Sequence, residues 1–367
     1  MKEKPKILVL AQLPPPVHGV SVINKNIIDS SLINSEFDLV IVPLSFVKKI
    51  KEIGRPSLAK VWSLIATFIK LFKVLISKKI DLVYFTISPT GYAFYRDIFF
   101  VLLLKLFKKK IVYHLHGKGI KENSEKSKVN KFFYEWVFKN TKVIILSDLL
   151  NYDIEGIYKS ESYILNNGIE NVKFEKQVIP EIITFVFLSN LMESKGIKIF
   201  LEAIKITFEK KYNFKVKIIG NISQDLSLDD LNVFVKENNL IDTVEILGPQ
   251  YGKDKYNQLA QSDVFVFPTL NDCFPLSIIE AMQMWLPVIS TSVGAIPEII
   301  EREVNGQIVP LNSGKDVSDE MINYIENTDL IKEHGFNNYT KFNQKYTQEK
   351  FEENFIKVIN QIFKDFN

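Results

Sequence analysis

The stretch Pro268-Thr-Leu-Asn-Asp-Cys-Phe-Pro-Leu-Ser-Ile-Ile-Glu-Ala-Met282 holds two carboxylates, Asp272 and Glu280, eight positions apart with a loop turning between them. An apolar strand pattern, Val264–Phe267, precedes it and a helical pattern follows. A strand-to-helix loop leaves the backbone N–H groups of the first helical residues, here Leu276 and Ser277, without intrahelical partners, and the helix dipole there suits a phosphate. A nearby carboxylate can accept two hydrogen bonds from the vicinal hydroxyls of a sugar. A plainer reading fits the same residues. Ser277-x-x-Glu280 has the form of a capping box, and Asn271-Asp272 that of an ordinary turn. Residue types alone leave the two level.

Other chemistries have less to stand on. The nearest match to a dinucleotide-binding G-x-G-x-x-G, at Gly117-Lys-Gly119, has Glu122 where the third glycine belongs. There is no G-x-x-x-x-G-K-[ST] and no Asp-x-Asp, so neither a P-loop nor the usual metal–diphosphate motif is present. His114-x-His116 offers two metal ligands, but nothing marks a third. Cys273, the single cysteine, excludes an internal disulfide and a multi-cysteine zinc site.

The elements that must position these residues alternate along the chain. Lys6–Ala11, Leu39–Val42, Leu82–Thr86, Ile111–Leu115 and Val143–Leu146 read as buried strands, with helical patterns such as Leu58–Ile76 and Ala93–Phe107 between them. The pattern restarts with strands at Ile182–Leu188, Val216–Ile219, Val244–Leu247, Val264–Phe267 and Val288–Ser290, separated by helices at Ile197–Glu209, Leu228–Asn238 and Lys253–Gln261. Such alternation predicts an α/β chain of two doubly wound, parallel-sheet domains with the carboxyl ends of both sheets facing a cleft. The expected boundaries are a first domain over 1–170, a polar linker over 171–181 and a second domain over 182–347. The amphipathic tail 348–367 spaces Phe351, Phe355, Val358, Ile359 and Ile362 along one helical face, so it needs a surface to pack on.

With 367 residues, 46% hydrophobic and 24% charged, the chain has ordinary globular composition, which excludes disordered and collagen-like classes. The formal net charge of +3 hides an asymmetry: residues 1–170 hold 26 Lys+Arg against 15 Asp+Glu, and the rest 20 against 28, so +11 and −8 combine to +3. No signal-peptide h-region and no apolar run long enough to span a membrane is found, which points to the cytoplasm. Lysine outnumbers arginine 43 to 3, a hint of a bacterial source.

The carboxylate segment closely resembles the acidic–x7–Glu signature of retaining glycosyltransferase family 4, among the "glycosyl transferases group 1", whose fold is the two-domain GT-B form. Leu286-Pro-Val-Ile-Ser-Thr-Ser-Val-Gly-Ala-Ile-Pro-Glu298 and Asn305-Gly306 match the same family in order and spacing. Ser189-Asn-Leu-Met-Glu-Ser-Lys-Gly196 resembles its diphosphate-binding loop, Asn167-Gly168-Ile169 the end of its first domain, and Pro14-Pro-Pro-Val-His-Gly-Val-Ser21 its N-terminal glycine loop. The resemblance covers essentially the whole chain.

The resemblance implies a role for each matching position. Glu280 corresponds to the carboxylate on the ribose hydroxyls, and Asp272, where the family usually has Glu, to the residue contacting the donor sugar. Phe274, Pro275, Leu276 and Ser277 form the loop whose amides approach sugar and phosphate. Lys195 matches the lysine that neutralises the diphosphate, and Asn190 stands where the family has Arg, which trades a bidentate cation for an amide. His116 resembles the histidine beside the donor sugar, with an orienting and electrostatic role; His114, on the same strand face, reads as a satisfied core histidine. Gly19 resembles the close-approach glycine over the phosphates, next to His18, where many relatives have another glycine. The nucleotide base is expected near Gly248–Gln250.

These implications combine into one expectation: a metal-independent, retaining glycosyltransferase with no cofactor. It would move a sugar from a nucleotide-diphosphate donor to a carbohydrate or polyprenyl-linked saccharide acceptor, in surface polysaccharide biosynthesis. Catalytic roles fall to His116, Asp272 and Glu280. Two rivals share the fold: a sugar-nucleotide 2-epimerase, and a non-catalytic sugar-nucleotide-binding subunit hinted at by Asn190 and Asp272. The basic first half adds an expectation of weak association with an anionic membrane, through helices where Trp62, Leu64, Ile65, Phe68, Ile69, Phe72 and Leu75 alternate with Lys60, Lys70, Lys73, Lys78 and Lys79. The protein would then be cytoplasmic, peripheral on the inner face of the cell membrane. No nucleic-acid recognition motif appears.

Overall fold

The computed structural model describes residues 3–44, 58–174, 179–223 and 226–366; Arg55, the side chain of Lys60 and part of the expected linker lie outside the described residues. Two compact units divide the chain, residues 1–168 with 348–367 and residues 169–347.

The first unit is built on strands β1 (Lys6–Ala11), β2 (Asp38–Pro43), β3 (Leu82–Phe85), β4 (Ile111–His114), β5 (Lys142–Ile145) and β6 (Tyr163–Ile164). They form one parallel sheet in the order β2-β1-β3-β4-β5-β6. Helices α1 (Gly19–Asp29), α2 (Ser31–Glu36), α3 (Leu58–Ser77), α4 (Gly91–Leu106), α5 (Ile120–Glu125) and α6 (Lys128–Phe138) connect them. β3 and β4 are buried along their whole length, as parallel strands covered on both faces must be.

The second unit repeats the plan. Strands β7 (Ile183–Leu188), β8 (Phe214–Ile219), β9 (Val244–Gly248), β10 (Val264–Phe267), β11 (Val288–Thr291) and β12 (Gly306–Val309) take the order β12-β11-β10-β7-β8-β9. Helices α7 (Ile197–Glu209), α8 (Leu228–Glu237), α9 (Gly252–Ala260), α10 (Leu276–Gln283), α11 (Ile296–Ile299), α12 (Gly314–Glu326) and α13 (Thr328–Lys345) connect and cover them. The strand order reverses between β7 and β10, so the loops that leave these two neighbours diverge at their carboxyl ends. In open α/β sheets such a point is where a ligand can reach backbone and side chains from both loops.

The chain then returns to the first unit as α14 (Gln348–Asp365). Its Phe351, Phe355, Ile359 and Ile362 are buried; Phe355 meets Tyr84 of β3 with centroids 5.4 Å apart, and Phe363 meets Phe37 at 6.4 Å. The amphipathic tail thus completes the core of the unit in which the chain begins.

The start of the expected linker packs on the second unit. Residues from 169 onward belong to the second unit. The amide of Val172 donates to the side chain of Gln283, which in turn donates to the Glu170 carbonyl at 3.0 Å, and Phe174 lies against Tyr339. Polarity suggested a free connector. A buried glutamine satisfying itself on that backbone makes 170–174 part of the packing instead.

Candidate active site

In the second unit, the loops after β7 and β10 are laced together. The amides of Leu270 and Asn271 both donate to the Ser194 carbonyl, at 2.9 and 3.1 Å, and the Thr269 hydroxyl donates to it at 3.2 Å. Gly196 makes this approach feasible: its φ is +82°, and a Cβ there would lie 2.0 Å from the Pro268 carbonyl oxygen. The crossing carries Lys195 to the carboxylate loop. Its Nζ donates to Asp272 Oδ2 at 2.6 Å and to the Asn271 carbonyl at 3.0 Å, while Asp272 Oδ1 accepts from the Cys273 amide at 2.8 Å.

A third loop buttresses the second. Gly294, with φ +59°, sits so close that a Cβ would be 2.4 Å from the Asp272 carbonyl oxygen, and the Ala295 amide donates to the Cys273 carbonyl at 2.7 Å. The Val-Gly-Ala part of the downstream motif is therefore the backstop that shapes residues 272–275.

The helix that follows begins at Leu276, with Pro275 in the N-cap position and no side-chain capping hydrogen bond. This overturns the capping-box reading of Ser277 and Glu280. Proline has no side-chain acceptor, and the helix starts two residues too early for Ser277 to cap it. Leu276 and Ser277 instead present first-turn amides, an arrangement that favours an anion. Glu280 is held from elsewhere: Lys255 Nζ in α9 donates to its Oε1 at 2.6 Å, with the two side chains only 18% and 13% exposed. Lys255 also lies over the Tyr256 ring, 4.6 Å from its centroid. Both carboxylates of the segment are therefore each paired with a lysine, on either side of an uncapped helix start.

Lys255 was not singled out by the sequence, because nothing local marks it. The only available signal was its place in the first turn of the helix that leaves the Gly248–Gln250 loop. Asn190, at the end of β7, is exposed.

In the first unit, the loop after β4 carries His116. Its ring centroid is 4.0 Å from that of His114, whose Nδ1 lies 2.5 Å from the Tyr84 hydroxyl. The Nε2 atoms of both histidines are enclosed and have no partner among the described residues. His114 is thus satisfied on one nitrogen only, where the sequence suggested a fully satisfied core residue. Burial, with a smaller contribution from His18, pushes His116 down to about 3, and burial followed by the charge of His116 pushes His114 well below the imidazole range. Any electrostatic role of His116 at neutral pH is that of an uncharged imidazole.

His18, whose role the sequence left open, is the N-cap of α1. Its Nδ1 accepts from the Ser21 amide and its own amide donates to Ser21 Oγ at 3.0 Å, which places Gly19 as the exposed first residue of that helix. The other helix start on this side, at Gly119, is already occupied. Both Asp153 carboxylate oxygens accept from the Gly119 amide at 2.9 Å, and the Ile120 amide donates at 3.1 Å. Among the described residues no cluster of three or more His, Cys, Asp or Glu could hold a metal.

The two neutral histidines have a pH consequence. An unfolded chain takes up their protons near the ordinary imidazole pKa of 6.5, whereas folded His116 does so only near 3. Stability is therefore level above pH 6.5 and falls as pH drops through the window from 6.5 to 3, by about 2 kcal/mol at pH 5 for His116 alone. His114 adds to the loss in the same direction. Thermal melts at pH 7.5 and pH 5 should differ accordingly, and His116→Gln should shrink the difference. Equal melting temperatures at both pH values would contradict the buried neutral pair.

Comparison with known proteins shows what the chain resembles. Residues 182–327 match the family model described as "Glycosyl transferases group 1". That match lies wholly within the second unit, which is therefore similar to the group 1 glycosyltransferases. An uncharacterized glycosyltransferase of Methanocaldococcus jannaschii is 25% identical over 280 residues, which cover 75% of this chain and 73% of that one. The amylovoran biosynthesis glycosyltransferase AmsK of Erwinia amylovora is 26% identical, but the alignment spans only 56% of this chain and 53% of that protein. Among solved structures, Anabaena HepE in complex with UDP superposes with a TM-score of 0.74 at 17% identity, over 97% of this chain and all of that one. That likeness speaks for the fold, which is the GT-B form expected from the sequence.

Proposed function

We propose that this protein is a glycosyltransferase that moves a sugar, with retention, from a nucleotide-diphosphate sugar to a carbohydrate or polyprenyl-linked saccharide, in surface polysaccharide assembly. The observation that carries the reading is the uncapped start of α10, with Lys195–Asp272 on one side and Lys255–Glu280 on the other. A diphosphate at the helix start would be met by the Leu276 and Ser277 amides and by the Lys195 ammonium, which supply local positive charge in a half of the chain that is acidic overall. Glu280 would take the ribose hydroxyls and Asp272 the donor sugar. AmsK, by its name, serves amylovoran biosynthesis, and HepE was solved with UDP, which supports a nucleotide-dependent polysaccharide role.

No side chain of the segment is assigned as a nucleophile toward the sugar. In the proposed step, the acceptor hydroxyl oxygen bonds to the anomeric carbon on the face from which the diphosphate leaves. The carbon–oxygen bond to the diphosphate breaks with its electron pair, and the hydroxyl proton passes to a departing phosphate oxygen. The protein's part is positioning and stabilisation of the charge that gathers on the leaving group, without a metal.

The test is ligand-induced stabilisation by UDP, GDP, ADP and CDP, measured without added divalent metal. A nucleotide at a hundred times its Kd should stabilise the protein by about 2.7 kcal/mol. Stabilisation by none of the four would refute the donor site.

A further inference from the structure

The connections β2→β3, β3→β4 and β4→β5 all advance in one direction across the first unit's sheet, so right-handed crossovers place α3, α4 and α6 on a single face. Packing agrees: Phe72 of α3 meets Phe107 just after α4 at 5.9 Å, and Phe94 of α4 stacks on Tyr134 of α6 at 4.1 Å. Phe138 of α6 meets Tyr113 of β4 at 5.4 Å, whereas α14 packs on Tyr84 from the opposite face.

A helix covering a sheet needs one apolar stripe. These helices carry two. In α3, Leu71 and Leu75 are buried, yet Trp62, Ile65, Ile69, Phe72 and Ile76, spaced by alternating threes and fours, are exposed, Trp62 to 71%. In α4, Phe94, Phe100, Val101 and Leu104 are buried while Tyr92, Phe99, Leu102 and Leu106 are exposed. Val129 and Phe132 of α6 extend the exposed set. An apolar patch of this breadth marks an interaction surface.

Its charge names the partner. Residues 58–79, 91–110 and 128–139 contain 13 of the 26 basic residues of 1–170 but only 2 of its 15 acidic ones, so the rest of that half is balanced. Of the two acids, Asp97 is buried against Arg96, and Glu135 faces Lys131 at 4.0 Å. Lys70, Lys73, Lys78, Lys79, Lys108, Lys128 and Lys139 are exposed around the apolar stripes.

We propose that the outer face of α3, α4 and α6 docks on an anionic lipid bilayer, with the apolar stripes at the acyl boundary and the lysines among the headgroups. The helices would lie in the interface plane: among the described residues no helix is long and apolar enough to cross a membrane. A second copy of the chain fits less well, since a two-fold contact sets lysine against lysine. Nucleic acid would leave the apolar stripes without a partner. This inference does not depend on which sugar the enzyme transfers, and its test contains no nucleotide.

The test is co-sedimentation of the full chain with vesicles of phosphatidylcholine alone, or of equal parts phosphatidylcholine and phosphatidylglycerol. Binding to the anionic vesicles should be at least tenfold stronger, should weaken with salt, and should blue-shift the tryptophan fluorescence. The pair W62S/I69S should cut binding at least tenfold without lowering the melting temperature, and K70E/K73E should abolish the anionic preference. W62S alone, with a smaller loss, serves if the double variant is unstable. No binding to anionic vesicles, binding indifferent to W62S/I69S, or a dimer in ultracentrifugation that these substitutions abolish would each overturn the proposal.

Discussion

In a Glu280→Ala variant, affinity for the nucleotide diphosphate and kcat/KM are expected to fall together, by at least about 100-fold. The estimate assigns two ribose hydroxyl bonds to one carboxylate, each worth roughly 1.5–3 kcal/mol because the acceptor is charged. A ground-state contact to a non-reacting part of the donor should appear mainly in binding, so kcat at saturation should change less. Losing the carboxylate also leaves the Lys255 ammonium, 18% exposed, without its partner at 2.6 Å. Thermal melts of the free variant separate that cost from the loss of affinity. Calorimetric titration with the nucleotide that best stabilises the parent protein is the decisive measurement, and undiminished affinity in Glu280→Ala would remove Glu280 from the proposed site.

Gly294→Ala should be a strongly disruptive single methyl in the site. The residue sits at φ +59°, and the added Cβ would lie 2.4 Å from the Asp272 carbonyl oxygen and 2.7 Å from that of Cys273. Both contacts are with backbone, so no side chain can swing aside; the 272–275 loop must move. Left-handed strain and the clash together should lower stability by about 3 kcal/mol. Because Asp272 and the start of α10 ride on that loop, activity should fall at least about 100-fold even at temperatures where the variant stays folded. Folded Gly294→Ala protein with parental activity would show that the loop's position is not critical.

The sequence made the strands legible wherever they are fully buried. Lys6–Ala11 and Val264–Phe267 coincide with β1 and β10 because continuous β-branched and aromatic runs have few other uses. Two of the four edge strands escaped. β6 has only two residues, and β12 begins with Gly306 and Gln307, which interrupt the apolar run. At the site, Asp272, Glu280 and Lys195 could be located because a local pattern surrounds each of them. Lys255 could not, since its meeting with Glu280 is made by the packing of α9 beside α10, 25 residues away. Nor does any local pattern show that Gln283 ties down residues 170–172, which made a packed segment read as a connector.

The return of the chain through α14 has a further meaning. The second unit is one uninterrupted segment, whereas the first is assembled from both ends of the chain. At the segment's two ends Ile169 and Thr347 form a parallel bridge, with the Ile169 amide donating to the Tyr346 carbonyl at 3.0 Å. Residues 169–347 therefore form a cassette whose ends already meet, the arrangement that lets a domain be excised or exchanged without opening its host. A cut after residue 168 does something different: it removes α14, and with it Phe351, Phe355, Ile359 and Ile362 from the other unit's core. The second unit can be lifted out as one segment; the first cannot be had by truncation.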